Sequence, residues 1–435
     1  MKRFLAGLLA FVLASPVVAG VEIKDVTTDK NITAWLVEEP SIPFTALEIR
    51  FRGGTSLDLE GKRGAIYLMT ALLEEGAGDL DARAFARELE GLAASFSYDA
   101  SDDSVSISAQ FLTENRDDAV ALLRQTIHSP RFDQDAIDRV RDQVLSGLSS
   151  DAKDPNDIAS REFARLAYGD HPYGTDGKGT IESVGALTRD DILDAHRNVF
   201  ALDRVYVGAV GDITPAELTA LLDELLGDLP AQGAAFPDKI EVTLPGGETV
   251  VDFNTPQSVA VFGQRGIDRD DEDFFPAFIL NHILGAGGFE SRLMTEVREK
   301  RGLTYGIYSY LSPKDLAAAY IGSVSSSNDR IAEAIQVTRA EWERIAQNGV
   351  TEKELADAKT FLTGAYPLRF DGNSRIASIM VGMQMQDLPI DYIATRNDKV
   401  NAVTLEQINR VAAELYDPEN LHFVVVGQPV GLETN

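Results

Sequence analysis

Arg298 and Tyr305 stand seven residues apart in the run R-E-K-R-G-L-T-Y, just beyond the glycine-rich segment Gly285-Ala286-Gly287-Gly288. The pair has the chemistry to hold and polarise a carbonyl. A tyrosine hydroxyl can donate a hydrogen bond to a developing oxyanion, and an arginine grips a carbonyl or carboxylate through its planar fork of donors. The glycines suit a sharp turn or a close backbone approach. Two readings compete. In one, Arg298 and Tyr305 face a ligand. In the other, Leu284–Tyr310 is a packed corner, with a helix Glu290–Lys300, a turn at Arg301-Gly302 and a strand Thr304–Tyr310. Arg298 would then pair with Glu296 or Glu299 as an ordinary surface charge, and Tyr305 would be one residue of an amphipathic strand. Arg301, four positions before Tyr305, is a second arginine that could partner it.

Other chemical signatures fail. There is no G-x-S-x-G, no H-E-x-x-H and no H-x-x-E-H. The run GTDGKGT at 174–180 lacks the spacing of a phosphate loop. The histidines are His128, His171, His196, His282 and His422; no two lie three or four apart, so no helix face offers a metal a histidine pair. There is no cysteine, hence no thiolate ligand and no disulfide.

The elements that position these residues come in a repeated order. Strand patterns at Ile32–Val37 and Thr45–Phe51 precede a nearly all-apolar helix, Ala65–Leu73. A second helix, Ala82–Leu92, leads to a hairpin, Ala94–Tyr98 with Val105–Phe111. Helices at Arg116–Ile127, Gln134–Leu148, Ile158–Tyr168 and Arg189–Phe200 are followed by strand Val205–Val210 and helix Pro215–Leu226. After a Gly-, Pro- and Ala-rich stretch the order returns. Pro256–Phe262 mirrors Pro43–Ile49, Phe274–Leu284 mirrors Ala65–Leu73, Thr404–Leu415 mirrors Thr188–Val199, and Leu421–Gly427 mirrors Val205–Gly211. Pro43 and Pro256 are 213 residues apart, and Thr188 and Thr404 are 216 apart. Such a nearly constant offset predicts duplication of one unit of ~200 residues. Without strict βαβ alternation, each unit is expected to be α+β, with mixed or antiparallel sheets and helices packed on them. The expected division is a leader at 1–19, a first domain at 20–227, a linker at 228–245 and a second domain at 246–435.

The formal net charge is −29 over 435 residues. That balance argues against nucleic acid or an anionic membrane face as partner. Lys2 and Arg3, the apolar run Phe4–Leu13 and the small-residue site Val17-Val18-Ala19 before Gly20 read as an export signal. No stretch is long enough to span a membrane, so a periplasmic or secreted protein is expected.

Taken together, the duplicated halves, the HPYG loop at His171–Gly174, the strand VYVGAVGDI at 205–213 and above all LGAGGFESRLMTEVREKRGLTYGIYS at 284–309 resemble the M16, or pitrilysin- and insulinase-type, metallopeptidases over essentially the whole mature chain. The resemblance implies two such domains forming a clam shell. It also implies H-x-x-E-H on the first buried helix, where two histidines bind zinc and the glutamate activates water, with a further glutamate on a later helix. Here that first helix reads GAIYLMTALLEEG. Tyr67 and Ala71 take the histidine positions and Thr70 that of the glutamate, while the later region QVLSGL offers Ser146 or Gly147 in place of a carboxylate. Glu74 and Glu75 lack a histidine partner. The resemblance therefore implies a non-catalytic subunit that binds no metal itself. Its partner would be a separate H-x-x-E-H subunit carrying zinc, and its substrates short or unfolded peptides. This chain would supply Arg298, Tyr305 and the loop glycines Gly285, Gly287 and Gly288. A non-enzymatic scaffold of the same fold is the alternative.

Overall fold

The computed structural model describes residues 22–433; the expected leader at 1–19 lies outside them. In the first half, β1 (Lys24–Thr27), β2 (Thr33–Glu38) and β3 (Phe44–Arg52) lead into α1 (Ala65–Ala71). A two-residue pair, β4 (Gly76–Ala77) and β5 (Leu80–Asp81), precedes α2 (Ala82–Gly91), β6 (Ser95–Ala100) and β7 (Ser104–Leu112). Then come α3 (Arg116–His128), α4 (Gln134–Asp151), α5 (Pro155–Tyr168), α6 (Ile181–Ala186), α7 (Arg189–Val199), β8 (Val205–Gly211) and α8 (Pro215–Leu226). The second half holds β9 (Gly247–Asp252), β10 (Gln257–Arg265), α9 (Phe274–Asn281), β11 (Ile307–Pro313) and β12 (Ala318–Ser327). It ends with α10 (Ile331–Asn348), α11 (Glu352–Ala365), α12 (Asn373–Met385), α13 (Tyr392–Ala402), α14 (Leu405–Leu415) and β13 (His422–Gly427).

The sheets record the duplication. The first runs β1-β2-β8-β3-β7-β6 and the second β11-β12-β10-β13-β9. Read in reverse, the second matches the first without its edge strand β1. In each, one parallel pair, β2 with β8 and β9 with β13, adjoins an otherwise antiparallel sheet. Equivalent helices even start alike. Thr188 with Asp191 opens α7, and Thr404 with Gln407 opens α14, each as a reciprocal capping box. The fold is α+β in two halves. Strand β13, apolar from Phe423 to Val426 and buried throughout, is the kind of run expected of a strand covered on both faces.

The halves exchange helices. α5 of the first half lies on β10 and β13 of the second, and α12 of the second lies on β3 and β8 of the first. Phe163 of α5 packs with Val259, Val261 and Val424, and Met380 and Met383 of α12 pack with Trp35 and Val210. Close contact demands glycine beneath each helix. A Cβ on Gly263 would come 2.7 Å from the Phe163 ring, and one on Gly208 would come 2.8 Å from the Ala377 carbonyl oxygen. Residues 229–246 contain no helix or strand and join the halves. Ile240, Val242 and Leu244 of this segment nevertheless pack beside Phe163.

The turns of the two equivalent hairpins also meet. Asp102 and Asp103 follow β6, and Lys314 and Asp315 follow β11. Lys314 pairs with Asp102, the Asp315 N–H donates to Asp103 at 3.3 Å, and Asp315 pairs with Arg52 at 3.0 Å. The lobes meet along these contacts like the shells of a clam and leave clefts between them.

Candidate functional site

The first-half helix is built as a core element. Gly64 enters it at φ 94, and a Cβ there would lie 2.5 Å from the Lys178 carbonyl oxygen. The Asp58 carboxylate accepts from the N–H groups of Gly64 at 2.8 Å and Ile66 at 2.9 Å, tying down the start of the helix. Burial, opposed by these bonds and by Arg63, pushes the Asp58 carboxyl up to about 6. Thr70 is buried, and its hydroxyl is used up on the Ile66 carbonyl oxygen at 2.8 Å. Tyr67 and Ala71 are half-buried. On α4, Ser146 and Gly147 are exposed, and the buried member of QVLSGL is Leu148. Ser146 and Gly147, suggested by the sequence as the third-ligand position, are thus on the outer side of their helix, because the α4 register turns Leu148 inward. Glu75 pairs with Arg139, and Glu74 is exposed. Among the described residues, no three His, Cys, Asp or Glu side chains gather where they could hold a metal ion.

Tyr67 opens onto an inter-lobe cleft of about 560 Å3 that also carries Tyr168 and Tyr173 from the first half and Tyr308 and Tyr310 from the second. Burial holds the hydroxyls of Tyr168 and Tyr173 well above the usual phenol range. The Tyr173 hydroxyl donates to Asp103 and accepts from the Leu316 N–H at 3.2 Å. The Lys314 ammonium sits 4.5 Å from the Tyr173 ring centre. The hydroxyl of Tyr168 and Nε2 of His171 are buried without a partner among the described residues. Sequence reasoning did not bring these five tyrosines together, since they come from four separate elements and only Tyr308 and Tyr310, both on β11, are near one another in the chain.

The Arg298 region departs from the regular pattern expected of it. His282–Ala286 and Met294–Glu299 are wound as π-helix, the latter with the Lys300 N–H reaching back to Thr295 O at 3.0 Å. Short π segments are frequent at functional sites. The expected helix Glu290–Lys300 is therefore a short 3₁₀ turn at 288–290 followed by a wide-wound helix. The strand begins at Ile307 rather than Thr304. Its earlier start is blocked because the Thr304 hydroxyl engages the Ser325 carbonyl at 2.6 Å and the Gly306 carbonyl at 2.8 Å. Tyr305 is consequently left in a bend, 89% exposed.

The arginines sort themselves. Arg301 binds both the Glu296 carboxylate at 2.8 Å and the Glu296 carbonyl at 2.7 Å, and Lys300 takes the other carboxylate oxygen at 2.7 Å. Those hydrogen bonds, from Lys300 and then Arg301, hold the Glu296 carboxyl below its ordinary range. Arg298 takes part in no ion pair among the described residues. Its guanidinium lies 4.6 Å above the Phe289 ring centre, and Phe289 is itself exposed. The glycines serve different ends. A Cβ on Gly285 would meet Ser309 Oγ at 2.2 Å, so this glycine lets the π turn lie against β11. A Cβ on Gly287 would meet His282 O at 2.7 Å, whereas Gly288, at φ 61, faces open space. The structure thus gathers Arg298 with Phe289 but does not bring Arg298 or Tyr305 into the lining of the cleft at Tyr67.

Similarity to known proteins extends over nearly the whole chain. The family pattern described as Insulinase (Peptidase family M16) matches residues 34–178, and the one described as Peptidase M16 inactive domain matches 186–362. A non-peptidase homolog from Helicobacter pylori is 27% identical over 428 residues, covering 98% of both chains. An uncharacterized zinc protease of Mycobacterium tuberculosis is 30% identical over 301 residues, 68% of each chain. A crystal structure of a peptidase M16 inactive domain from Pseudomonas fluorescens superposes with a TM-score of 0.88 at 28% identity, covering 95% of this chain and 99% of that one. With the histidine and glutamate positions occupied by Tyr67, Thr70 and Ala71, the chain belongs to the M16 peptidase family as a non-peptidase homologue.

Proposed function

We propose that this chain is the substrate-binding subunit of a two-chain M16 peptidase, completed by an H-x-x-E-H subunit that holds zinc. Arg298 and Tyr305 reach from this chain toward the partner's zinc-bound substrate, Tyr305 donating to the carbonyl oxygen as it becomes an oxyanion and Arg298 orienting the peptide. The observation that carries the reading is the division of labour between the two arginines. Glu296 engages Arg301 and Lys300, so Arg298 is left on Phe289, and Tyr305, seven positions on, is exposed. The neighbouring glycine Gly288 gives that surface a backbone free of side chain. Substrates are short or unfolded peptides, since an enclosed chamber admits little else, and the N-terminal signal pattern points to work outside the cytoplasm.

The test is complementation. Peptide hydrolysis and bound zinc are measured for this chain, for an exported H-x-x-E-H homologue from the same genome, and for their mixture. The expected result is activity that rises sharply only in the mixture, with zinc in the partner alone. Hydrolysis by this chain alone, with stoichiometric zinc, would overturn the assignment. A stable mixed complex without any gain in turnover would favour the scaffold role instead.

A further inference from the structure

A second cavity, of about 730 Å3, opens where α12 leaves its own half to lie on the opposite sheet. Four arginines line it: Arg269 before α9, Arg369 in the turn Tyr366–Arg369, Arg375 in the first turn of α12, and Arg396 on α13. No aspartate or glutamate is among its lining residues. In a chain of net charge −29 this is an unusual concentration of one sign. Elsewhere the arginines are commonly engaged with carboxylates, as Arg292 is with Glu354 and Arg410 with Asp273. None of the four is in an ion pair among the described residues.

The cavity is also graded from inside to outside. Arg396 is buried between aromatic faces, 4.5 Å from the Tyr366 ring centre and 5.4 Å from that of Phe278. One of its nitrogens donates to Leu362 O and Asn397 Oδ1. Burial first, and Arg369 nearby, hold its guanidinium below the ordinary range. Arg269 is fixed by a 2.8 Å bond to the Tyr392 hydroxyl and lies 4.2 Å from the Phe274 ring centre. Arg369 and Arg375 stand exposed at the mouth with no bond to other side chains among the described residues. Arg369 repels the buried Arg396, and no carboxylate among the lining residues offsets that charge. A bound anion would relieve it, and aromatic walls suit an apolar body attached to that anion. The volume falls within the ordinary range for a pocket that holds a small ligand.

We infer that this cavity binds the terminal carboxylate of a peptide ending in an apolar or aromatic residue, with Arg369 and Arg375 gripping the carboxylate and the rings taking the side chain. Arginine's fork matches a carboxylate in two-bond fashion. Tyr310 lines both this cavity and the cleft at Tyr67, so residues upstream of the anchored end would run past Tyr310 into that cleft. The inference rests on the peptide-binding part of the proposed function and is independent of any zinc-bearing partner.

The test is calorimetric titration of this chain alone with three peptides: Ala-Ala-Ala-Leu-Phe with a free carboxylate, the same peptide amidated, and amidated Ala-Ala-Ala-Leu-Glu. The free acid is expected to bind on the order of tenfold more tightly than its amide, as loss of a charged hydrogen-bonding group implies. In the Arg369→Ala, Arg375→Ala double variant that preference should vanish. Both residues are exposed, and circular dichroism checks that the variant is folded. Absence of binding, equal binding of acid and amide, or a preference that survives in the folded double variant would overturn the inference. Equal binding of the amidated glutamate peptide and the free acid would overturn the assignment to a chain terminus. Because only this chain is titrated, a negative result leaves the complementation test untouched.

Discussion

The Arg298 guanidinium lies over the Phe289 ring at 4.6 Å, and Tyr305, seven positions on, is 89% exposed. The pairing keeps a charged fork extended without neutralising it, as a cation held on an aromatic face remains available to an incoming anion or carbonyl. Arg301, only three positions on, is instead anchored twice to Glu296. The two arginines should therefore behave differently on substitution. In the complemented enzyme, Tyr305→Phe is expected to lower kcat by about 10²–10³, the range seen when one oxyanion donor is removed. Arg298→Ala should also lower kcat/KM. Neither should move the melting temperature appreciably, since exposed side chains rarely do. Arg301→Ala should show the reverse, a lower melting temperature with turnover preserved. If Arg301→Ala abolished turnover while Arg298→Ala left it intact, the assigned roles would be exchanged.

The exchanged helices predict that the two halves melt together. Phe163 is buried against the opposite sheet over Gly263, and Met380 holds the reciprocal position in the core around Trp35. Phe163→Ala should cost about 3–5 kcal/mol and Met380→Ala about 2–5 kcal/mol, the usual range for such cavities. Either loss should shift one cooperative urea transition rather than separate it into two, because each half lends the other a covering helix. A biphasic unfolding curve in the wild-type chain would contradict this coupling.

Much of this architecture was legible in the sequence, and what was not has physical causes. The apolar runs at Val205–Val210 and Ala65–Leu73 announce a strand and a buried helix, and the nearly constant offset announces duplication. The helix exchange is invisible, since α5 and α12 look like any amphipathic helix and nothing local says whose sheet they cover. β9 was missed because its edge position leaves only Val250 buried. The shift of Tyr305 out of β11 depends on Thr304 bonding to Ser325, twenty-one residues away. The blank zinc helix could be read from residue types alone, whereas Leu148 in place of Ser146 or Gly147 needed the register of α4. The four-arginine cavity draws on loops and helices spread from Arg269 to Arg396, which no spacing rule connects.

Metal removal offers a simple check on the first-half helix. Thr70 is committed to Ile66, and Ala71 has no ligand atom. Zinc binding requires deprotonated N, S or O ligands in a convergent set. Extended dialysis of this chain against a chelator should leave its melting temperature unchanged, and added zinc should not raise it. A concentration-dependent rise of the kind produced by binding to the folded state would reveal a metal site built from other residues.

The contact between the two hairpin turns makes stability depend on pH. Burial first, then repulsion from Asp103, raises the Asp315 carboxyl to about 6 against the pull of Arg52. Lys314, beside it, is engaged by Asp102, and Asp387 adds further negative charge. A carboxyl whose pKa is higher in the folded chain than in the unfolded one, where it is 3.8, favours folding while it is protonated. That contribution is complete below the unfolded value and is lost as pH rises through about 6. Asparagine at this position cannot ionise. The melting temperature of Asp315→Asn, taken relative to wild type, should therefore increase between pH 5 and pH 7.5. A difference that stays constant across this interval would mean that Asp315 titrates alike in both states, and that Arg52 offsets the burial of its charge.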